Sequence, residues 1–345
     1  LMKKTSCLSQ NRPGAHILLT AALAIRIQTR HTHIIYQNRP DCKPFCQAKE
    51  DFWMSLHKPT VFTGAATALI TPFRDGKIDP AALRDLIEYQ IGGGIAAILI
   101  AGTTGESATL DFDEHRDLIR ASAEIIAGRL PLLAGCGSNC TDRAVRLARI
   151  ACAAGADALL AVTPYYNKAS DRGIFAHYRA IAEASEKPVI VYNVPSRTGM
   201  TLTMRNYCEL AKLDRICAVK EASGDLELLG RLAAECGDDL DVYTGNDSQT
   251  VAAMRLGARG VISVASNVLP ERMQEICRLC DGGNYRRASQ RMQELRPVLR
   301  ELSAEVNPIP VKYAAALLGL CLPEYRLPLT PPAPELAQRL ERRFG

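Results

Sequence analysis

The sequence predicts an α/β fold, a (β/α)8 barrel of the TIM type followed by a C-terminal helical appendix. Short apolar runs alternate with amphipathic stretches from Thr63 onward, and there are eight such runs. A doubly wound sheet, the second choice, is expected to show a glycine-rich GxGxxG turn after its first strand, but here the first run continues into Pro72 and Phe73. Hydrophobic residues make up 47% of the 345 residues, and no apolar run approaches the roughly 18 residues of a membrane span.

The eight runs are predicted strands because they are short, rich in branched residues and bounded by Gly, Pro or Asn, as buried parallel strands are. They cover 65–71, 96–101, 130–134, 158–163, 188–193, 216–220, 240–244 and 260–264. Helices are predicted between them, several entered through Asp or Thr as N-cap. The clearest cover 79–90, 111–127, 141–154 and 171–184, and the appendix is expected to contain helices at 271–281, 285–302, 310–318 and 335–343.

Residues 1–53 differ from the rest of the chain in charge and pattern. They carry eight Lys/Arg against three Asp/Glu, whereas residues 54–345 hold 34 of each and show no nucleic-acid footprint. We interpret the segment as an extension, disordered or extra translated sequence, with the natural start at Met54. A secretory signal and an organelle transit peptide are the alternatives. The barrel is then expected over 54–283 and the C-terminal helical region over 284–345.

The twelve cysteines are scattered along the chain. Cys277 and Cys280 form a CxxC pair, but it lies in a predicted helix without a second pair, so neither a metal site nor a redox motif is expected. The interpretation is that of buried, reduced thiols in a cytoplasmic protein.

Candidate site residues are sought at the carboxyl ends of the predicted strands, where barrels of this kind place their chemistry. The second strand ends in GTTGE at 102–106, and the hydroxyls of Thr103 and Thr104 with nearby backbone N–H groups can hold a small carboxylate. An ordinary hydroxyl-rich turn is an equally good interpretation of this motif alone.

Lys220 ends the sixth strand, and no other lysine of residues 54–345 follows an apolar run in this way. Desolvation there lowers the pKa of the ammonium group and leaves a nucleophilic amine, although a lysine reaching from the strand end to water would look the same. Tyr192 lies at the end of the fifth strand as a proton carrier, and Arg197 follows that strand as a carboxylate clamp. Tyr165 and Tyr166 follow the fourth, where packing is the more common role. Together these groups fit metal-free Schiff-base chemistry on an α-keto acid.

The sequence resembles the 4-hydroxy-tetrahydrodipicolinate (dihydrodipicolinate) synthases, within the N-acetylneuraminate lyase superfamily. The resemblance covers residues 61–331, which leaves residues 1–53 outside the family. It rests on GTTGESATL at 102–110, VTPYYN at 162–167, YNVPSRTG at 192–199, VKEASG at 219–224, GVISV at 260–264 and NPIPVK at 307–312.

The resemblance implies condensation of pyruvate with L-aspartate 4-semialdehyde in the diaminopimelate and lysine pathway, with no cofactor. Lys220 would form the imine with pyruvate, and Tyr192, Thr103 and Tyr166 would relay protons. Tyr166 is expected to reach into a neighbouring subunit of a homotetramer built from two dimers. The remaining implied contacts are with substrate: Thr104 with the pyruvate carboxylate, Arg197 with the semialdehyde carboxylate, and Gly245 and the Ile262 backbone along the pocket.

Some members are inhibited by lysine at the dimer interface, and the corresponding positions here match in part. Five agree: Ser107, Ala108, His115, Asn139 and Tyr165. Phe112 replaces the histidine of sensitive members and Arg143 replaces a glutamate, so that a cation stands where an ammonium group would bind. Weak inhibition or none is expected.

Two rival functions stay open at this point. One is another pyruvate-dependent aldolase, cleaving N-acetylneuraminate or a 2-keto-3-deoxy sugar acid, which is expected to lack Arg197 and the Tyr165 and Tyr166 pair. The other is a catalytically silent barrel that binds a keto acid.

Overall fold

The structure, a computed structural model, describes residues 58–345. The predicted extension at 1–53 and the start at Met54 lie outside the described residues.

The described residues contain a closed barrel of eight parallel strands, which confirms the predicted fold class. Each strand pairs with the next along the chain, and the eighth pairs with the first. The strands are β1 (Gly64–Ala68), β2 (Ala97–Ile100), β3 (Leu132–Gly135), β4 (Ala158–Val162), β5 (Val189–Asn193), β6 (Ile216–Glu221), β7 (Asp241–Thr244) and β8 (Gly260–Ser263). The predicted first strand was too long at its carboxyl end, because the chain leaves the barrel after Ala68 and Ile70 N–H donates to Asn267 Oδ1 instead.

One helix follows each strand and packs on the outside of the barrel. The eight are α1 (Pro80–Gly92), α2 (Phe112–Ile126), α3 (Thr141–Ala153), α4 (Asp171–Ala184), α5 (Met204–Leu210), α6 (Leu226–Cys236), α7 (Thr250–Arg255) and α8 (Pro270–Asp281). Five of them, α1, α2, α4, α5 and α6, begin at a side-chain N-cap: the Asp111 carboxylate, for example, accepts from two backbone N–H groups while Glu114 reaches back in a capping box.

Short elements lie between the carboxyl ends of several strands and the helices that follow. A hairpin of Phe73–Arg74 and Lys77–Ile78 follows β1. Single helical turns follow β2, β5, β7 and β8, at Ser107–Thr109, Pro195–Thr198, Asp247–Gln249 and Ala265–Asn267.

The side chains of each strand alternate between two hydrophobic layers, as the period of two requires. In β2, Ile98 and Ile100 pack outward against the helices, while Ala97 and Leu99 belong to the barrel interior. Phe62 and Tyr243 add a stacked pair to the interior cluster, with ring centroids 4.2 Å apart. The barrel is therefore a packed core, and its polar groups gather where the strands end.

Three further helices follow α8: α9 (Tyr285–Leu302), α10 (Ile309–Leu317) and α11 (Pro334–Phe344). Their buried residues, among them Leu295, Val311 and Leu340, join the cluster between strands and helices. The predicted helical appendix is thus packed on the barrel. Within residues 58–345, no helix is both long and apolar enough to cross a membrane.

Candidate active site

Lys220 lies near the carboxyl end of β6 and is only 5% exposed. Tyr192 is its register partner on β5, and the Lys220 Nζ atom is 4.4 Å from the centre of the Tyr192 ring. Burial lowers the pKa of Lys220 to about 8; Asp247 opposes this and Arg197 adds to it. At pH 7 roughly one amine in ten is then neutral, against about one in three thousand for an ordinary lysine. The desolvated amine expected from the sequence is present.

The absence of a side chain at Gly245 leaves space for the Lys220 side chain. A Cβ atom on Gly245 would lie 3.0 Å from Lys220 Cε and 2.6 Å from the Ala222 Cβ atom. The backbone N–H of Gly245 also donates to the Glu221 carbonyl, 2.8 Å away, which holds the two strand ends together. A side chain at this position would displace the amine.

The loop after β2 brings Thr103 and Thr104 to the same end of the barrel. Ala101 and Glu106 bracket it with φ values of 51° and 53°, unusual for residues with a side chain. The loop can approach β3 because residue 135 is glycine: a Cβ there would be 2.0 Å from the Ala101 carbonyl oxygen. Burial raises the pKa of Tyr192, and Arg197 and the Thr103 side chain partly offset that rise.

Asn307 joins two of the predicted substrate-binding residues, and sequence reasoning did not single it out. Its Nδ2 group donates to Thr104 Oγ1 at 3.0 Å, and its backbone oxygen accepts from Arg197 Nη2 at 3.2 Å. Its Oδ1 atom is buried without a hydrogen-bond partner among the described residues. The NPIPVK motif at 307–312 was the available signal, but nothing in it ties Asn307 to loops that lie 110 and 203 residues away in sequence.

A buried ion pair fixes the loop after β2 to the C-terminal region. Lys312 Nζ in α10 donates to Glu106 Oε1 at 2.6 Å, and both side chains are fully buried. The backbone N–H of Arg326 donates to the other Glu106 oxygen, and the Lys312 ammonium lies 4.2 Å from the centre of the Phe73 ring. Burial lowers the pKa of Lys312, and Glu106 opposes that shift. The C-terminal helices therefore contribute to the site.

Glu221, the residue after Lys220, anchors the end of β6. Its carboxylate accepts from both Asn193 Nδ2, at 3.0 and 3.1 Å, and the Tyr207 phenol, at 2.5 Å. The backbone N–H of Ser223 donates to it as well, at 2.7 Å. With these partners the buried carboxylate is satisfied, and the strand that carries the amine is held against β5 and α5.

A groove of about 540 Å³ opens beside these strand ends. Three predicted catalytic or substrate-binding residues line it: Thr103, Tyr192 and Arg197. So do six of the predicted regulatory residues: Ser107, Ala108, His115, Asn139, Arg143 and Tyr165. Four other predicted site residues do not line the groove. Lys220, Thr104 and Ile262 are buried, and Gly245 is not part of the lining either. Catalytic and regulatory candidates thus share one depression.

Tyr166 and Phe112 lie apart from this groove. Tyr166 is 91% exposed, with φ at 70°, and so is held outward on the loop after β4. Phe112 lies under two guanidinium groups, with Arg146 Cζ 3.8 Å and Arg143 Cζ 5.1 Å from its ring centre.

His115 is buried with its Nε2 atom 2.7 Å from the Gly135 carbonyl oxygen, to which it donates. Burial lowers the pKa of His115 and Arg143 lowers it further, while the Gly135 contact opposes both. The ring is therefore neutral at pH 7. Among residues 58–345, no group of three or more His, Cys, Asp or Glu side chains is arranged to hold a metal ion.

A parallel barrel with a desolvated lysine on β6, paired with a tyrosine on β5, is typical of barrel lyases that use a lysine side chain as the nucleophile. The chain belongs to the dihydrodipicolinate synthetase family, whose sequence model matches residues 61–344.

Relatives of the chain agree with this membership. The 4-hydroxy-tetrahydrodipicolinate synthase of Nitratidesulfovibrio vulgaris (strain DP4) is 47% identical over 271 residues, which cover 78% of this chain and 93% of that protein. The crystal structure of dihydrodipicolinate synthase from Aquifex aeolicus has a TM-score of 0.80 at 41% identity, covering 82% of this chain and 97% of that one. A monomeric dihydrodipicolinate synthase variant also matches, with a TM-score of 0.80 at 37% identity, covering 82% and 96% of the two chains.

Proposed function

We propose that this chain catalyses the 4-hydroxy-tetrahydrodipicolinate synthase reaction, the condensation of pyruvate with L-aspartate 4-semialdehyde that leads to diaminopimelate and lysine. The observation that carries the proposal is the Lys220 amine, buried against Tyr192 with its pKa lowered to about 8. Membership of the family and the curated relative at 47% identity support the choice of substrates. No cofactor enters the proposed reaction, because the lysine itself forms the covalent link.

In the first half of the proposed reaction, the neutral Lys220 amine attacks the carbonyl carbon of pyruvate. Loss of one water gives the imine, and the protonated imine acidifies the pyruvate methyl group, so that removal of a methyl proton leaves an enamine. Tyr192, whose ring lies 4.4 Å from Lys220 Nζ, is assigned to carry these protons together with Thr103. Thr104, whose hydroxyl accepts from Asn307, is assigned to the pyruvate carboxylate.

In the second half, the enamine carbon attacks the aldehyde carbon of the semialdehyde, forming the new carbon–carbon bond. The amino group of the semialdehyde then adds to the imine carbon and expels the Lys220 amine, which closes the ring and regenerates the enzyme. Arg197 is assigned to the semialdehyde carboxylate because its guanidinium uses one donor on Asn307 and keeps others for a carboxylate. Gly245 and the backbone at Ile262 are assigned to the pocket wall.

We assign Tyr166 to the proton relay of a neighbouring copy in a homotetramer, within a cytoplasmic enzyme. The support is its 91% exposure: an outward tyrosine on the loop after β4 is available to a second copy. In the same way we propose weak lysine inhibition or none, because Arg143 lines the groove where an ammonium group would bind.

The test of the reaction combines trapping with turnover. Full-length protein is treated with pyruvate and borohydride, and peptides are mapped by mass spectrometry for wild type, Lys220→Ala and the matched control Lys212→Ala, an exposed lysine. We expect one reduced pyruvyl adduct, on Lys220, in wild type and in the control, and none in Lys220→Ala.

Turnover is then measured with pyruvate and L-aspartate 4-semialdehyde, and in parallel with N-acetylneuraminate and 2-keto-3-deoxy sugar acids. Condensation of the first pair supports the proposal. An adduct combined with cleavage of a sugar acid would replace it by the lyase alternative. No adduct on Lys220 would favour the silent, keto-acid-binding barrel.

A further inference from the structure

Two cysteines on neighbouring helices bring their sulfur atoms into contact. Cys208 lies on α5 and Cys236 ends α6, and their Sγ atoms are 3.5 Å apart. Cys208 is exposed, whereas Cys236 is 4% exposed and faces the core between strands and helices. The two residues are 28 positions apart in sequence, so no short motif marks them.

This pair differs from the CxxC pair that the sequence draws attention to. Cys277 and Cys280 are both buried, and neither presents a sulfur to a reagent in solution. The Cys208 and Cys236 pair has one thiol that a reagent can reach and a second thiol in contact with the first. A disulfide needs a sulfur separation of about 2 Å, which a shift of roughly 1.5 Å between the two thiols provides.

We propose that Cys208 and Cys236 form a reversible disulfide by exchange with a low-molecular-weight disulfide, and that this bond ties α5 to α6. The proposal adds a redox reaction at this pair to the reduced thiols expected from the sequence. The proposal concerns a modification site outside the catalytic residues and does not depend on the substrates proposed above.

The exchange proceeds in two balanced steps. The Cys208 thiolate attacks one sulfur of the small disulfide, forms a mixed disulfide and releases one small thiolate. The Cys236 thiolate then attacks the Cys208 sulfur, forms the internal bond and releases the second small thiolate. Two protein thiols are oxidised and one small disulfide is reduced to two thiols, which take up, through solvent, the two protons that the protein thiols lose.

The surroundings of Cys236 make the rate of the second step depend on pH. Burial raises the pKa of Cys236, and in the reduced protein the contact with the Cys208 thiol raises it further. The attacking thiolate is therefore scarce at neutral pH, so closure is slow there and accelerates by about tenfold per pH unit until the pKa is approached. The first step, at the exposed thiol, precedes it.

The bond would link the two helices that follow β5 and β6. Tyr207, beside Cys208, donates its phenol to Glu221, which adjoins Lys220 on β6. Closing a loop of 28 residues (208 to 236) also restricts the unfolded chain, so the oxidised protein is expected to be the more stable form.

The experiment uses the full-length protein, glutathione disulfide and peptide mapping under non-reducing conditions. We expect a cross-linked peptide joining Cys208 to Cys236, its loss on treatment with dithiothreitol, and a higher thermal midpoint in the oxidised sample. The matched control Cys140→Ser removes another exposed cysteine and should keep the cross-link, whereas Cys208→Ser should lack it.

Two results would overturn the proposal. One is a mixed disulfide that persists on Cys208 while Cys236 stays a free thiol, even at pH 9. The other is Cys208 left unmodified under conditions in which Cys140 reacts. The distinct peptides of Cys7, Cys42 and Cys46 separate any reaction at residues 1–57 from the pair.

Discussion

Two charges act in opposite directions on the Lys220 amine. Asp247 raises the pKa of Lys220 and Arg197 lowers it, while burial exceeds both. The Asp247 carboxylate is itself buried, and its Oδ2 atom accepts from the backbone N–H groups of Val264, at 3.1 Å, and Ala265, at 2.9 Å. These bonds oppose the rise in its pKa that burial causes. The reactivity of the amine therefore depends on residues from several loops.

The first prediction concerns the pH profile of kcat/KM for pyruvate, which reports the free enzyme. It should rise by about tenfold per unit below pH 8 and level off above, because only the neutral amine attacks. Asp247→Asn removes the charge that stabilises the ammonium form, so the midpoint should move to lower pH. Arg197→Gln removes the positive charge that destabilises the ammonium form of Lys220, so the midpoint should move to higher pH. Equal midpoints in both variants would show that these charges do not reach Lys220.

At the scale of elements, the loop after β2 is held in an unfavourable backbone conformation by a buried ion pair. Ala101 and Glu106 both have positive φ values, and Lys312 in α10 neutralises the Glu106 carboxylate. An unpaired charge in such a place is costly, whereas an apolar replacement of the whole pair can be nearly neutral.

The second prediction follows from that asymmetry. Lys312→Met should lower the free energy of unfolding by about 3–5 kcal/mol, and Glu106→Gln by a similar amount, because each leaves a buried partner without its counterpart. The double variant should recover most of the loss in urea titration. As a control, Asp113→Asn breaks an exposed pair with Arg116 and should change little. Additive losses in the double variant would contradict a direct interaction.

Strands and helices were predictable from the sequence, while the network that supports the site was not. The eight strands and the helices follow from apolar periodicity and capping residues, which are local properties. Thr103, Tyr192 and Lys220 could be found because barrel strands end at one face. Asn307, Tyr207 and the Glu106 pair act through contacts between distant parts of the chain, and single-sequence patterns carry no signal for such contacts.

At the scale of the whole molecule, the groove beside the strand ends is lined by Thr103 and Tyr192 together with six of the regulatory candidates, while Tyr166 is exposed and is not part of the lining. If Tyr166 of one copy serves the active site of another, activity would depend on association between copies. A monomeric variant is known among the structural relatives, so assembly is a property to be measured for this chain.

The third prediction uses complementation between two inactive variants. Lys220→Ala lacks the amine but keeps Tyr166, and Tyr166→Phe has the reverse defect. If Tyr166 serves the neighbouring site, co-expressed mixtures should regain activity, because one site per mixed dimer then has both groups. Light scattering should show an associated species. Activity no higher than the sum of the separate variants would place Tyr166 in its own subunit or outside the reaction.

The fourth prediction concerns inhibition by lysine. Two like charges about 4 Å apart near a protein surface repel by roughly 4 kcal/mol, so Arg143 should prevent binding of the ligand ammonium at sub-millimolar concentration. Steady-state assays of wild type should show no inhibition there. Arg143→Glu combined with Phe112→His should introduce it, and Arg143→Gln should have a smaller effect. Strong inhibition of wild type would refute the assignment.

The Lys312 and Glu106 pair also has a consequence for protein synthesis. The residues that hold the Glu106 loop, Lys312 and Arg326, come after all eight barrel strands in the chain and so leave the ribosome later than the strands do. A nascent or prematurely terminated chain that ends before residue 312 can pair the barrel strands, yet its loop after β2 has an unneutralised Glu106 carboxylate. The loop after β2 is therefore supported only once residues 312–326 have been made, and a chain truncated before them would lack that support even where its barrel has formed.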